Sequence, residues 1–318
     1  MKTPSFWRRR GIISTLLLPA AILYEAIFIS KRWLTKAQRV DVPVICVGNL
    51  TAGGAGKTPI ALYIGDLLRP HAKVFFLSRG YGGTLSGPLL VDPSIHRAHD
   101  VGDEPLLLAG LLSTVVAKDR VSGARFAIKN GAEAIIMDDG FQHHRLHKDL
   151  SFVVIDDTIG FGNGRLLPAG PLREAPEDGF RRCQAAIIMN GASNSHWTPK
   201  SLLTFNAQTH TQLPLSKQQP IVAFCAIAYP EKFFAALTQL GYQLVGKHIF
   251  PDHYRYQQKD LDLLSKHAKE LGAILVTTRK DAVKLPADFR SSITVADLRV
   301  QLEKKELLSA MLYRVLQS

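Results

Sequence analysis

The stretch Thr51-Ala52-Gly53-Gly54-Ala55-Gly56-Lys57-Thr58 carries the first chemical signal in the sequence. Glycines let backbone N–H groups close round phosphate oxygens, and a following helix aims its N-terminus at them. In such a loop the lysine reaches the β- and γ-phosphates, and the threonine hydroxyl binds Mg²⁺. The usual pattern is G-x-x-x-x-G-K-[ST]. Here Thr51 replaces its first glycine, and Gly48 lies just upstream. The chemistry implied is binding of nucleotide phosphates. It calls for a carboxylate at a nearby strand end to hold the metal. Asp138-Asp139 and Asp156-Asp157 both follow apolar runs, and periodicity does not choose between them. A strand-end aspartate also serves simply as a turn or cap residue.

These residues need a scaffold. Buried-strand patterns fall at 42–48, 73–83, 113–119, 132–140, 150–157 and 185–190. Helical patterns fall between them, at 104–112 and 120–131, and after the loop, where Ile60, Tyr63, Ile64, Leu67 and Leu68 share one face up to Pro70. Near-continuous apolar strands separated by helices predict a mostly parallel α/β sheet covered on both faces. The polar, proline-bearing stretch 191–219 marks a junction, after which a second βα series begins. The expected layout is a basic apolar helix region (1–40), a phosphate-loop domain (41–205), a linker (206–219), a smaller α/β domain (220–300) and a C-terminal helix (301–318). Three dispersed cysteines form no metal pattern and read as packed core thiols.

The net charge is +12 and unevenly spread. Residues 1–40 hold eight Lys or Arg, among them Lys2, against one acid, Glu25. Between the charges lies the twenty-residue run Gly11–Ser30. Its apolar character makes an anionic membrane surface the partner, rather than nucleic acid. Glu25, the interruption at Pro19 and basic residues on both flanks argue against a simple crossing. The expectation is a helix lying in the membrane interface, with Trp7 and Trp33 as anchors. A spanning helix and a buried core helix are the alternatives.

Seven motifs in order give the chain a further meaning. They are GNLTAGGAGKTP (48–59), LSRGYGG (77–83), VGDEPLLLA (101–109), MDDGFQHHRL (137–146), GNGRLLPAGPLRE (162–174), FPDHYRY (250–256) and TTRKDAVKL (277–285). With them the chain resembles the tetraacyldisaccharide 4'-kinases of lipid A synthesis over nearly its whole length. The resemblance implies transfer of the γ-phosphate of ATP to the 4'-hydroxyl of a tetraacyldisaccharide 1-phosphate, giving lipid IVA. It implies a phosphate-loop domain with a smaller second domain, working at the cytoplasmic face of the inner membrane among anionic lipids. It selects Asp138 and Asp139 for the Mg²⁺ side, and Asp103 with His253 for taking the acceptor proton. Without the resemblance Asp103 reads as a helix N-cap and His253 as a loop residue.

Arginines suit the anionic substrate because a planar fork grips phosphate. Arg79, Arg120, Arg165 and Arg173 lie in or beside motif loops, and Gln142 and His143 are candidates for orienting substrate or metal-bound water. Lys280 and Asp281 read either as nucleotide contacts or as an ion pair at a helix start, the ion pair being the preferred reading. The competing function is a membrane-associated ATPase that switches partners. Deviant loops of that class carry a lysine at the position of Ala52, which counts against it.

Overall fold

The computed structural model describes residues 4–191 and 196–317, so Lys2 and the segment 192–195 of the junction lie outside the described residues. The strands are β1 (Val44–Gly48), β2 (Val74–Ser78), β3 (Leu89–Leu90), β4 (Thr114–Val116), β5 (Ala134–Asp138), β6 (Leu150–Asp156), β7 (Ala185–Met189), β8 (Thr204–Gln212), β9 (Pro220–Cys225), β10 (Gln243–Ile249), β11 (Ile274–Thr278) and β12 (Thr294–Leu302). Every residue of β1, β2, β5, β6 and β7 is buried, as continuous apolar runs in a doubly covered parallel sheet require.

All twelve strands join one sheet, ordered β10-β9-β11-β12-β8-β7-β6-β1-β5-β2-β4-β3. It has two parallel halves. From β8 to β4 the neighbours run parallel, and so do those from β10 to β12. The halves meet through the antiparallel pairing of β8 with β12, from Ala207↔Leu302 to Gln212↔Asp297. The expected linker at 206–219 is therefore corrected. Its first seven residues are strand, because a paired ribbon satisfies their backbone groups where an open linker would leave them to water.

Helices in chain order are α1 (Ile12–Leu16), α2 (Leu18–Leu34), α3 (Lys57–Leu68), α4 (Ala98–Val101), α5 (Asp103–Ala109), α6 (Arg120–Lys129), α7 (Pro176–Phe180), α8 (Pro230–Gln239), α9 (Gln258–Glu270), α10 (Arg279–Ala282), α11 (Ala287–Ser291) and α12 (Lys305–Leu316). On α3, Ile60, Ile64 and Leu68 enter the core, and Leu308 and Leu312 of α12 join the same cluster. The C-terminal helix thus packs on the phosphate-loop half. The opposite face of that half is covered by α6 and by the 161–180 region. In the second half, Phe233, Phe234 and Leu237 of α8 cover one face, and Leu261, Leu264 and Ala268 of α9 the other.

The N-terminal region does not form one long helix. The chain turns between α1 and α2, where Pro19 occupies the first turn of α2. Among the described residues no helix is long and apolar enough to cross a membrane. One face of α2 packs on the protein through buried Ala21, the Tyr24 hydroxyl donating to the Arg173 carbonyl at 3.0 Å, Phe28 against His144, and Arg32 paired with Asp178 at 3.4 Å. These positions follow the helical repeat. Ile22, Leu23, Ile27, Trp33 and Leu34 of α2 remain exposed, as do Ile12, Ile13 and Leu16 of α1.

Candidate functional site

The strand–loop–helix β1–α3 builds the phosphate loop. Gly53 and Gly56 have positive φ, at 124° and 83°, where a side chain would be strained. Thr51 needs no such freedom. It forms a bridge with Leu172, flanked by Ala52 N–H donating to the Pro171 carbonyl at 2.7 Å and Arg173 N–H to the Leu50 carbonyl at 2.7 Å. The 171–173 segment braces the loop entrance, which is why glycine is not required at position 51. Gly48 is required for another reason. A Cβ there would lie 2.4 Å from the Phe141 Cβ, so its absence lets the DDGFQH turn close onto the loop.

Two aspartates end β5. Asp138 is buried, and its Oδ2 accepts a hydrogen bond from the Thr58 hydroxyl at 3.0 Å. Its Oδ1 is buried with no hydrogen-bond partner among the described residues. Burial, then the charge of Glu104, pushes its pKa up to about 7, against the pull of Lys57. Asp139 adopts φ of 52°, a left-handed geometry that aspartate tolerates better than most residues. Its Oδ1 lies 3.7 Å from Lys57 Nζ and accepts from Arg173 Nη1 at 2.8 Å. Burial opposes its ionisation, but Lys57 and Arg173 outweigh burial and hold its pKa down. The rival pair has other partners. Asp156 is bound by Lys232 at 2.7 Å, and Asp157 accepts from the Trp197 indole at 2.8 Å.

The second cluster joins the halves of the molecule. Asp103 opens α5 after Gly102, whose φ is 93°. His253 stands 150 positions away in the 250–256 loop, yet its Nδ1 lies 2.9 and 3.0 Å from the two carboxylate oxygens of Asp103. The Asp103 bond raises the His253 pKa above its ordinary value despite partial burial. Burial works against the Asp103 charge, but the His253 hydrogen bond, followed by Lys280, brings its pKa down to about 2.

The remaining expected residues divide. Gln142 joins the cluster, donating to the Asn49 carbonyl at 2.8 Å and to Glu174 at 2.9 Å. Arg120 is buried, with Nη1 on the carbonyls of Ala117 and Lys118 and with Nε unpartnered among the described residues. Burial, then the nearby charge of exposed Arg79, lowers its pKa to about 10. His143 is driven down to about 4 by burial and then by Arg120. Arg165 is not brought to the cluster: its guanidinium donates to the hydroxyls of Ser14 and Thr15, each at 3.0 Å, and fastens α1. The Lys280-Asp281 ion pair also gives way. Asp281 is fully buried and pairs with Lys284 at 2.6 Å, because one turn of helix brings those two side chains together. Glu104 and Glu174 are members of the site that motif reading passed over. Buried Glu174 follows Arg173 directly and holds both Gln142 and Arg182. An acid at the end of a motif was the available signal.

Residues 13–317 match the family model described as "Tetraacyldisaccharide-1-P 4'-kinase". The chain belongs to that family. A tetraacyldisaccharide 4'-kinase of Rhodospirillum rubrum is 44% identical over 326 residues, covering 99% of this chain and 98% of that protein. One of Gluconacetobacter diazotrophicus is 44% identical, covering 94% of this chain and 93% of that one. The crystal structure of LpxK from Aquifex aeolicus in complex with ATP superposes with a TM-score of 0.82 at 32% identity, covering 96% of this chain and 100% of that one. Membership of the tetraacyldisaccharide-1-P 4'-kinase family makes this chain an ATP-dependent lipid kinase acting in lipid A synthesis.

Proposed function

We propose that Asp103, supported by His253, takes the proton of the 4'-hydroxyl while phosphate bound at the Lys57 loop is transferred to it. One observation carries this reading. The Asp103–His253 contact joins the two halves of the molecule through a hydrogen-bonded acid–imidazole pair. Asp103 alone, with its pKa at about 2, is a weak base. Coupled to His253 it titrates as part of a pair, and the pair as a whole takes up the abstracted proton. Lys57 would neutralise phosphate charge, and Gly53, Gly54 and Gly56 would admit the phosphates to backbone N–H groups. Arg173, tied to Asp139, keeps the second aspartate aimed at Lys57.

The residues present suit a magnesium ion. Asp138 offers a buried oxygen with no hydrogen-bond partner among the described residues, and the Thr58 hydroxyl lies against the same carboxylate. When bound there, the ion would neutralise charge on the transferring phosphoryl group. Thr58 and Asp138 would hold it. Asp139 would remain on Lys57 and Arg173.

The lipid acceptor stays in a bilayer, so the enzyme must meet it there. The exposed apolar side chains of α1 and α2 would enter the membrane interface, and Arg8, Arg9, Arg10 and Lys31 would face anionic lipid on the cytoplasmic side. Radiolabelled γ-phosphate supplies the test. Label should pass from ATP to a tetraacyldisaccharide 1-phosphate in mixed micelles. Release of inorganic phosphate at the same rate with and without acceptor would instead identify a switching ATPase.

A further inference from the structure

Lys280 belongs to the motif at 277–285, and its partners are not the ones the sequence suggested. It sits in the first turn of α10, which Thr278 caps by accepting from the Asp281 N–H at 3.1 Å. Asp281 fixes that turn further, accepting from the Ala226 N–H and the Tyr256 hydroxyl, each at 3.1 Å. From this anchored base Lys280 Nζ reaches three carboxylates: Asp103 at 3.7 Å, Glu104 at 3.9 Å and Asp252 at 3.7 Å. The first two belong to α5 of the phosphate-loop half. Asp252 belongs to the His253 loop of the other half, and its Oδ1 has no hydrogen-bond partner among the described residues. Lys280 keeps its charge, since the three carboxylates outweigh burial and raise its pKa.

We propose that Lys280 is a positioning residue for phosphoryl transfer: its ammonium ties the Asp103 helix to the His253 loop and completes the proton-accepting pair only when the two halves meet. The proposal rests on Asp103 and His253 accepting the acceptor proton. The geometry supports it in two ways. Asp103 receives His253 and Lys280 on one carboxylate, so it is held from two directions. And two acids of α5 face Asp252 across the junction, a like-charge contact that opposes closure unless a cation sits between them. Lys280 is that cation. Lys284, just beyond the end of α10, is paired with Asp281. Because carboxylates surround Lys280, a phosphate of ATP is not its partner in this arrangement.

The charge also acts on His253. The groups facing the imidazole are Asp103 from α5, Asp252 beside it, Lys280 from α10 and the Tyr81 ring. Lys280 opposes protonation of His253, whereas Asp103 and Asp252 favour it. Removing the ammonium therefore changes the titration of the pair as well as its placement.

The experiment compares Lys280→Met, which keeps the stem and removes the charge, with Lys280→Arg, which keeps the charge. The readouts are kcat, the KM for ATP and the pH dependence of kcat, with ATP and tetraacyldisaccharide 1-phosphate as substrates. For Lys280→Met, kcat should fall about 100-fold, the loss expected of a reacting group displaced by roughly 1 Å. The KM for ATP should stay within about threefold, because Lys57 and Thr58 are untouched. The acid limb should move to higher pH, and Lys280→Arg should restore most of kcat. Added to Asp103→Asn, Lys280→Met should cost less than about twofold more, since both act on one pair. A lower kcat with the limb fixed at its wild-type pH overturns the proposal, as does a full second loss on Asp103→Asn. Should Lys280→Met fail to fold, Lys280→Gln gives the same comparison. If Asp103→Asn keeps wild-type kcat, the base assignment fails, while the limb in Lys280→Met still decides whether Lys280 positions His253.

Discussion

Asp103→Asn is the most informative single change. Asparagine has the shape of aspartate, and its Oδ1 can still accept from His253 Nδ1, so the contact at 2.9–3.0 Å survives with its charge removed. What disappears is the ability to take a proton. A positioned general base contributes roughly 10²- to 10⁴-fold, which corresponds to about 2.7–5.4 kcal/mol in the barrier. The remaining catalysis by phosphate positioning and charge neutralisation persists. The lower end of that range applies here, because the carboxylate is held at a pKa of about 2 and drives proton transfer weakly. We therefore expect kcat to fall about 100- to 1000-fold, with the KM for ATP changed less than about threefold. The assay is transfer of labelled γ-phosphate to the lipid acceptor with both substrates saturating. His253→Ala should cost less, and the double variant should lose little more than Asp103→Asn, since the two residues act as one unit. A tenfold or larger rise in the KM for ATP with kcat nearly intact would refute the reasoning and move Asp103 to nucleotide or metal binding.

Five further outcomes are expected. Lys57→Ala should abolish transfer while leaving the far-UV spectrum unchanged, because Arg173 still pairs with Asp139; a fully active variant would remove the loop from the mechanism. The acid limb of kcat should reflect the raised His253 pKa, with activity lost as pH falls through it, and the limb should vanish in His253→Ala. The contact between the halves has the opposite sign: the His253 contribution is complete below 6.5 and lost as pH rises through its raised value, while that of Asp103 is complete above 3.8 and lost as pH falls towards about 2. Pulsed hydrogen exchange of α5 across pH would follow this. Gly48→Ala should cost about 1–3 kcal/mol in denaturant unfolding, because the added methyl meets Phe141 at 2.4 Å. Replacing Ile12, Leu16 and Leu23 by Gln should release the protein from anionic vesicles while leaving ATP affinity intact, since these side chains point away from the packed face.

The strands of the phosphate-loop half were legible because they are buried on both faces, and five fully buried strands read as unbroken apolar runs. The exposed ribbon was not. β8 buries only Phe205 and Ala207 and carries Gln and Thr, so it reads as polar connection until β12 is seen beside it. Near the site, Thr51 looked like a defect in the loop pattern. Its bridge to Leu172 comes from a segment over a hundred positions away, and no local signal announces it. Arg165 shows the converse limit. A motif arginine looks alike whether it meets a phosphate or two hydroxyls of a neighbouring helix. The Asp103–His253 contact was reached only by resemblance, since spacing says nothing about residues in different halves.

The β8–β12 ribbon has a consequence for how the chain is divided. Gln212 and Asp297 face each other, so the polypeptide leaves the phosphate-loop half and returns to it at adjacent points. Everything between them is an insertion, and α12 completes the host fold after the interruption. Such an arrangement lets the inserted module vary, or be excised in favour of a tight hairpin, without breaking the host sheet. The host would keep Lys57, Thr58, Asp138 and Asp139, and would lose His253 and Lys280. The host stretch thus carries the phosphate loop together with Asp103, and the inserted stretch carries the His253 and Lys280 that Asp103 meets across the junction.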